Sequence, residues 1–146
     1  MRGSSWNSRP ESVSSVVHFS RAEVVHFWRV PKDVRLNNSS QLAGFTKKED
    51  LAYFLRTING IEYVHLPLLA PTQELLQAYK KKKRPWSEYE SEFLRLMTSR
   101  RVEENVDRSV LSGACLLCSE DAAEHCHRRL VAEYLRDKWE DVQIRH

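Results

Sequence analysis

Glycine is scarce in this chain, with four among 146 residues. Phosphate-gripping loops and dinucleotide fingerprints need glycines at fixed spacings, where the backbone turns tightly against a phosphate. Neither Gly-x-x-x-x-Gly-Lys nor Gly-x-Gly-x-x-Gly occurs, and there is no Gly-x-Ser-x-Gly elbow. Those absences argue against nucleoside-triphosphatase, dinucleotide-binding and serine-hydrolase readings. Cysteine is scarce as well. Three cysteines are too few and an odd number for a disulfide framework, so a reducing cytoplasm is the expected compartment. No apolar run approaches the ~20 residues that span a bilayer, so no membrane partner is expected. Met1 to Arg9 is polar apart from Trp6 and has no apolar signal-peptide core. No internal repeat is visible.

What remains is ordinary globular material, 41% hydrophobic and 29% charged, in a length that fits one domain. The net charge of +3 is too mild to require nucleic acid as a partner. Its distribution says more. Lys80 to Arg84 form one basic run closed by Pro85 and Trp86, read either as a solvated helix end meeting the negative end of the dipole or as a grip on phosphates.

Residues 1–12 read as a disordered lead-in and 13–146 as a single α/β domain, with 13–32 the least defined part. Val13 to Val30 carries two apolar patches, and Pro31 interrupts before Asp33-Val34-Arg35. This front segment is expected to be an edge element or to lie outside the sheet, with Val24, Val25, Phe27 and Trp28 a candidate patch for a homo-oligomer. Beyond it, Thr46 to Glu49 is expected to cap a helix with Leu51, Phe54, Leu55 and Ile58 on one face, stopped by Asn59-Gly60. Ile61 to Leu66 reads as a strand. A helix follows Thr72 through Leu75, Leu76 and Tyr79, and Ser87 to Glu90 is expected to cap another with Phe93, Leu94 and Met97 inward. Arg101 to Leu111 reads as a short helix and Ala114 to Cys118 as a buried strand. A last helix buries Cys126, Leu130, Tyr134 and Leu135, and Asp141 to His146 supplies a terminal strand. Strands alternating with helices predict a mostly parallel sheet with helices on its faces.

Several strings occur together in order: Asp33 to Phe45, Ile61 to Pro67, Leu68 to Thr72, Leu116 to Glu120 and Cys126 to Leu135. With them the chain resembles, over about residues 33–146, the bacterial and archaeal family catalogued as domain of unknown function 488. The resemblance implies a small Rossmann-like α/β domain and no particular reaction or cofactor. The front departs from the family pattern, which opens on a Thr-Ile-Gly strand and enters Asp-Val-Arg through an apolar one; here the approach is Trp28 to Lys32.

The chemistry concentrates between Cys118 and Arg128, in a polar loop between an apolar strand and a helix. In open α/β sheets ligands bind beyond the carboxyl ends of the strands. The expected site there is an enzyme's, with Cys118 or His127 as nucleophile or proton shuttle and Glu120 as general acid/base. Arg35, Asn37, Asn38 and Arg128 are the expected ligand-binding residues, for an anionic small molecule, nucleotide or nucleic acid, with His127 and Arg128 on the solvent side of the last helix. Bland readings stand beside these: Cys118 and Cys126 as small core hydrophobes, Arg35 in a surface pair with Asp33, His65 as a hydrogen-bonded core histidine. The alternatives are a non-catalytic nucleic-acid-binding module using Lys80 to Arg84 and a zinc-binding domain. Zinc is disfavoured because Cys115 and Cys118 point apart on a strand and His125, Cys126 and His127 fan about a helix start, so no metal ligands are expected.

Overall fold

A computed structural model describes residues 16–19, 30–39, 46–120 and 122–145. The expected lead-in, 1–12, and the patch at Val24, Val25, Phe27 and Trp28 lie outside them. The protein is an α/β structure built on a small parallel sheet. Strand β1 is Val16–Phe19 and β2 is Pro31–Asp33; helix α1, Lys48–Asn59, leads to β3, Val64–His65. A 3-10 turn at Pro67–Leu69 precedes α2, Gln73–Lys82, and α3, Trp86–Ser99. Two single-turn helices, α4 (Val102–Asn105) and α5 (Arg108–Leu111), lead to β4, Cys115–Leu117. Helix α6, His127–Lys138, and β5, Val142–Arg145, follow.

The parallel sheet has the order β3-β2-β4, with Asp33 opposite both His65 and Leu117. All three strands therefore end at one edge. Pro31 does not interrupt this sheet; it opens the central strand, a first-residue position where the missing N–H is tolerated. Of the front segment, β1 lies outside the three-stranded sheet and pairs antiparallel with β5. The core gathers Val34, Leu69, Phe93, Met97, Val102, Leu111, Leu116, Leu130, Val131 and Leu135 between sheet and helices.

Several local expectations change. Thr46 does not cap α1: the N-cap is Lys47, without a side-chain capping bond, and the Asn38 carbonyl accepts the Lys48 N–H at 2.7 Å. That partner is distant in sequence and so invisible to a capping pattern. Nor does Ser87 open α3, which begins one residue earlier behind Pro85. The face of α1 is not buried, for Phe54 is 39% and Ile58 71% exposed. The strand over Ile61 to Leu66 shrinks to Val64–His65, and the Arg101 to Leu111 helix divides at Val106, where the backbone is extended. Thr72 does cap α2, its Oγ1 accepting from the Leu75 N–H at 3.2 Å. Thr72→Ala is expected to cost about 1 kcal/mol in urea unfolding, and Thr72→Ser much less.

Candidate functional site

Two groups of polar side chains are anchored at the carboxyl edge of the sheet. The first is built on β2. Asp33 is fully buried and accepts the Arg35 backbone N–H at 3.0 Å, Nε at 2.8 Å and Nη2 at 2.7 Å. The Tyr63 hydroxyl donates to the same carboxylate, and Asn38 Nδ2 donates to Tyr63 at 2.9 Å. Burial pushes Tyr63 up to about 12, helped by its bond to Asp33. Arg35 Nη2 also reaches the Thr46 carbonyl at 2.8 Å, and His65 Nε2 lies 3.0 Å from the Arg35 carbonyl. This pairing is buried, with Arg35 only 5% exposed, so it differs in kind from a surface ion pair. Its guanidinium is spent on tying β2 to the segment before α1. Asn38 is likewise buried, whereas Asn37 is exposed.

The second group is built on β4 and α6. Cys118 comes directly after β4, where alternation has ended, so its sulfur is free of the constraint that separates it from Cys115. Cys126 is not in the first turn of α6; it is the extended N-cap residue, fully buried, and His127 opens the helix. This is why the two do not fan apart. His127 and Arg128, expected to face solvent, are both buried, because α6 enters the core at its first turn with the Phe93 ring 5.7 Å from that of His127. His127 Nε2 lies 2.9 Å from the Val34 carbonyl and Nδ1 lies 3.5 Å from Cys118 Sγ. The ligand atoms of Cys118, Cys126 and His127 all fall within 4.8 Å of one another, so among the described residues these three could hold a metal ion. Cys115 and His125 stand outside that set.

This environment favours a thiolate on Cys118. The Cys126 thiol, donating to it, is the strongest influence; burial opposes, and His127 and the Glu120 N–H reinforce. The net effect holds Cys118 well below the usual thiol range. Cys126 is pushed up in turn by the same bond and by burial, so one thiol of the pair carries the charge and the other the proton.

Arg128 Nη1 donates to the Glu120 carbonyl at 2.6 Å, strapping the loop between β4 and α6. The Glu120 carboxylate is exposed and meets Lys80 Nζ at 3.3 Å, which brings the basic end of α2 to the mouth of the site. Arg84 turns away to Glu88 and Glu92 on α3. Tyr79, Trp86 and Tyr89 pack together at the rim, Trp86 stacked on Tyr89 and 5.3 Å from the His125 ring. A hollow of about 790 Å³ lies elsewhere, between α3 and α6, and contains none of these residues.

Cys118, Glu120, His127 and Arg128 thus come together, while Arg35 and Asn38 belong to the neighbouring β2 network. Sequence reasoning gave Cys126 a packing role and missed Tyr63 and the aromatic rim. The family strings themselves, which contain Tyr63 and Cys126, were the available signal.

The fold and site describe an α/β protein with a buried thiol–imidazole cluster where a parallel sheet ends. The chain belongs to the family described as Domain of unknown function DUF488, matched over residues 21–135. No curated protein and no solved structure matches it. Among the described residues no helix is long and apolar enough to cross a membrane.

Proposed function

We propose that the protein is an enzyme in which the Cys118 thiolate acts as nucleophile on an anionic substrate at the carboxyl ends of a Rossmann-like sheet. The observation that carries this reading is the cluster itself: a strand-end sulfur that accepts from Cys126 and the Glu120 N–H and lies beside the His127 ring. The Val34 carbonyl can only accept, so Nε2 carries the proton of that bond, and Nδ1, 3.5 Å from Cys118 Sγ against 3.9 Å for Nε2, is the nearer nitrogen for exchanging one with it. A nucleophile, its proton partner and a group orienting that partner are the recurring parts of thiol catalysis. Glu120, at the mouth, is placed to serve as general acid/base toward a leaving group.

Anionic substrates are favoured by the basic end of α2, since Lys80 stands at the mouth and Lys81 and Lys83 are exposed beside it. The Trp86–His125 rim adds aromatic surface on which a nucleobase can stack, which points to a nucleotide or nucleic-acid strand. Arg128 supports this site by holding the loop, and Arg35 by holding β2. The basic run thereby becomes the approach to a catalytic thiol, which favours the enzyme over a non-catalytic binding module. A reducing cytoplasm suits a free thiolate.

The test is the pH dependence of alkylation in metal-free protein, followed residue by residue by mass spectrometry. An ordinary thiol loses roughly two orders of magnitude in rate between about pH 8 and about pH 6. Cys118 is expected to stay nearly flat over that interval, and Cys126 to remain unreactive. A Cys118 rate that falls as steeply as that of a free thiol would refute the nucleophile.

A further inference from the structure

The same three side chains satisfy a second set of geometric requirements. Zinc binds sulfur at ≈ 2.3 Å and histidine nitrogen at ≈ 2.0–2.1 Å, so tetrahedral ligation sets sulfur and nitrogen about 3.5 Å apart. Cys118 Sγ and His127 Nδ1 are already 3.5 Å apart, and the third ligand atom, on Cys126, lies within the same 4.8 Å limit. The tautomer of the ring is also the one a ligand needs. Because Nε2–H donates to the Val34 carbonyl, the neutral ring leaves Nδ1 without a proton, and Nδ1 is the nitrogen nearer Cys118 Sγ, at 3.5 Å against 3.9 Å for Nε2. A backbone carbonyl in that position is a usual outer partner of a metal-binding histidine. Phe93 packs against the ring from the core side.

From this geometry we infer that Cys118, Cys126 and His127 form a binding site for one thiophilic metal ion of the zinc class. Two thiolates and an imidazole are soft to borderline donors that select zinc or copper(I) over magnesium or calcium. Two thiolate charges neutralise a divalent ion, which matters in a site this buried. Binding displaces the Cys126 proton to solvent and forms two metal–sulfur bonds and one metal–nitrogen bond, with no change of oxidation state. A hollow of about 20 Å³ adjoins His127, lined also by Glu120, Tyr89 and Trp86, and is enough for one water. Three protein ligands and one open position are the pattern of sites where a metal meets a substrate or water. This inference goes beyond the nucleophile reading and does not depend on it: a metal-bound Cys118 is protected from attack on electrophiles, so ion and free nucleophile exclude one another.

The experiment uses the full chain, reduced and stripped of metal, with Zn2+ as the ion and Co2+ as its spectroscopic substitute. One Co2+ per chain is expected, with the visible bands of tetrahedral cobalt and a thiolate-to-cobalt charge-transfer band, both displaced by one equivalent of Zn2+. Under zinc, Cys118 and Cys126 are expected to resist alkylation while Cys115 is modified at an unchanged rate. Cys126→Ser and His127→Ala should weaken zinc by more than the ~10–100-fold that loss of an orienting partner costs, and Cys115→Ser and His125→Ala should not weaken it. Equal alkylation of Cys118 and Cys126 with and without zinc overturns the site, as does unchanged affinity in Cys126→Ser. The protection measurement needs no variant, so a variant that fails to fold leaves the test intact. Absence of zinc binding together with a flat alkylation profile for Cys118 removes the metal and keeps the nucleophile.

Discussion

Replacing Asp33 by alanine is expected to lower the stability of the protein by about 3–5 kcal/mol, because it leaves the Arg35 guanidinium buried without its counter-charge. Asp33 is fully buried and Arg35 nearly so, and each satisfies the other through two side-chain bonds. Urea unfolding at neutral pH measures the loss. Asp33→Asn keeps the shape and still strands the cation, so it should recover little. A double variant, Asp33→Asn with Arg35→Met, should be more stable than either single variant. The pH dependence has a definite sign. Burial raises the Asp33 carboxyl, but the hydrogen bonds from Arg35 and Tyr63 outweigh it and hold the group below 3.8. A carboxyl depressed on folding contributes stability that is complete above its unfolded value and lost as pH falls through the folded one. The gap between the wild-type protein and Asp33→Ala is therefore expected to be constant near neutrality and to narrow only below about pH 4. A gap that closes already between about pH 7 and about pH 5 would contradict the assignment to this carboxylate.

The second large effect is expected at Phe93. Its ring has no exposed surface, stacks on Tyr89 at 9° and lies 5.7 Å from His127. Phe93→Ala should cost about 3–5 kcal/mol, the usual range for an aromatic side chain removed from a closed core. Phe93→Leu, which refills much of the space, should cost less. A loss within about 1 kcal/mol for Phe93→Ala, in calorimetry or urea, would mean that the ring is not a core anchor.

Periodicity and punctuation made most of the α/β order legible. Spacing alone places Phe93, Met97, Leu130 and Leu135 inward, and each is buried. The failures share a physical cause, a partner remote in sequence. The first N–H of α1 goes to the Asn38 carbonyl, a partner that no capping pattern contains, and the N-cap is Lys47 instead of Thr46. His127 and Arg128 are polar and sit in a first turn, a position that reads as exposed; the core takes them in because Phe93 and Val34 approach from other elements. The place of the site was readable because an apolar strand, a polar loop and a helix follow one another there. Its membership was not. Whether Cys126 belongs with Cys118 depends on an extended N-cap residue, a single pair of backbone angles that composition does not encode.

The bond from His127 to Val34 crosses 93 positions of sequence. Contacts of that separation form only after the loop between them has closed, and they are slow to form for that reason. During synthesis, the segment carrying Val34 and most of the core-forming helices are available long before His127 leaves the ribosome. Until α6 docks, Cys118 lacks the neighbours that set its chemistry and behaves as an unprotected thiol, open to oxidation. Reactivity at this sulfur is thus a product of long-range closure, and a folding delay at α6 would show itself as chemical damage at Cys118 before it showed itself as lost helix.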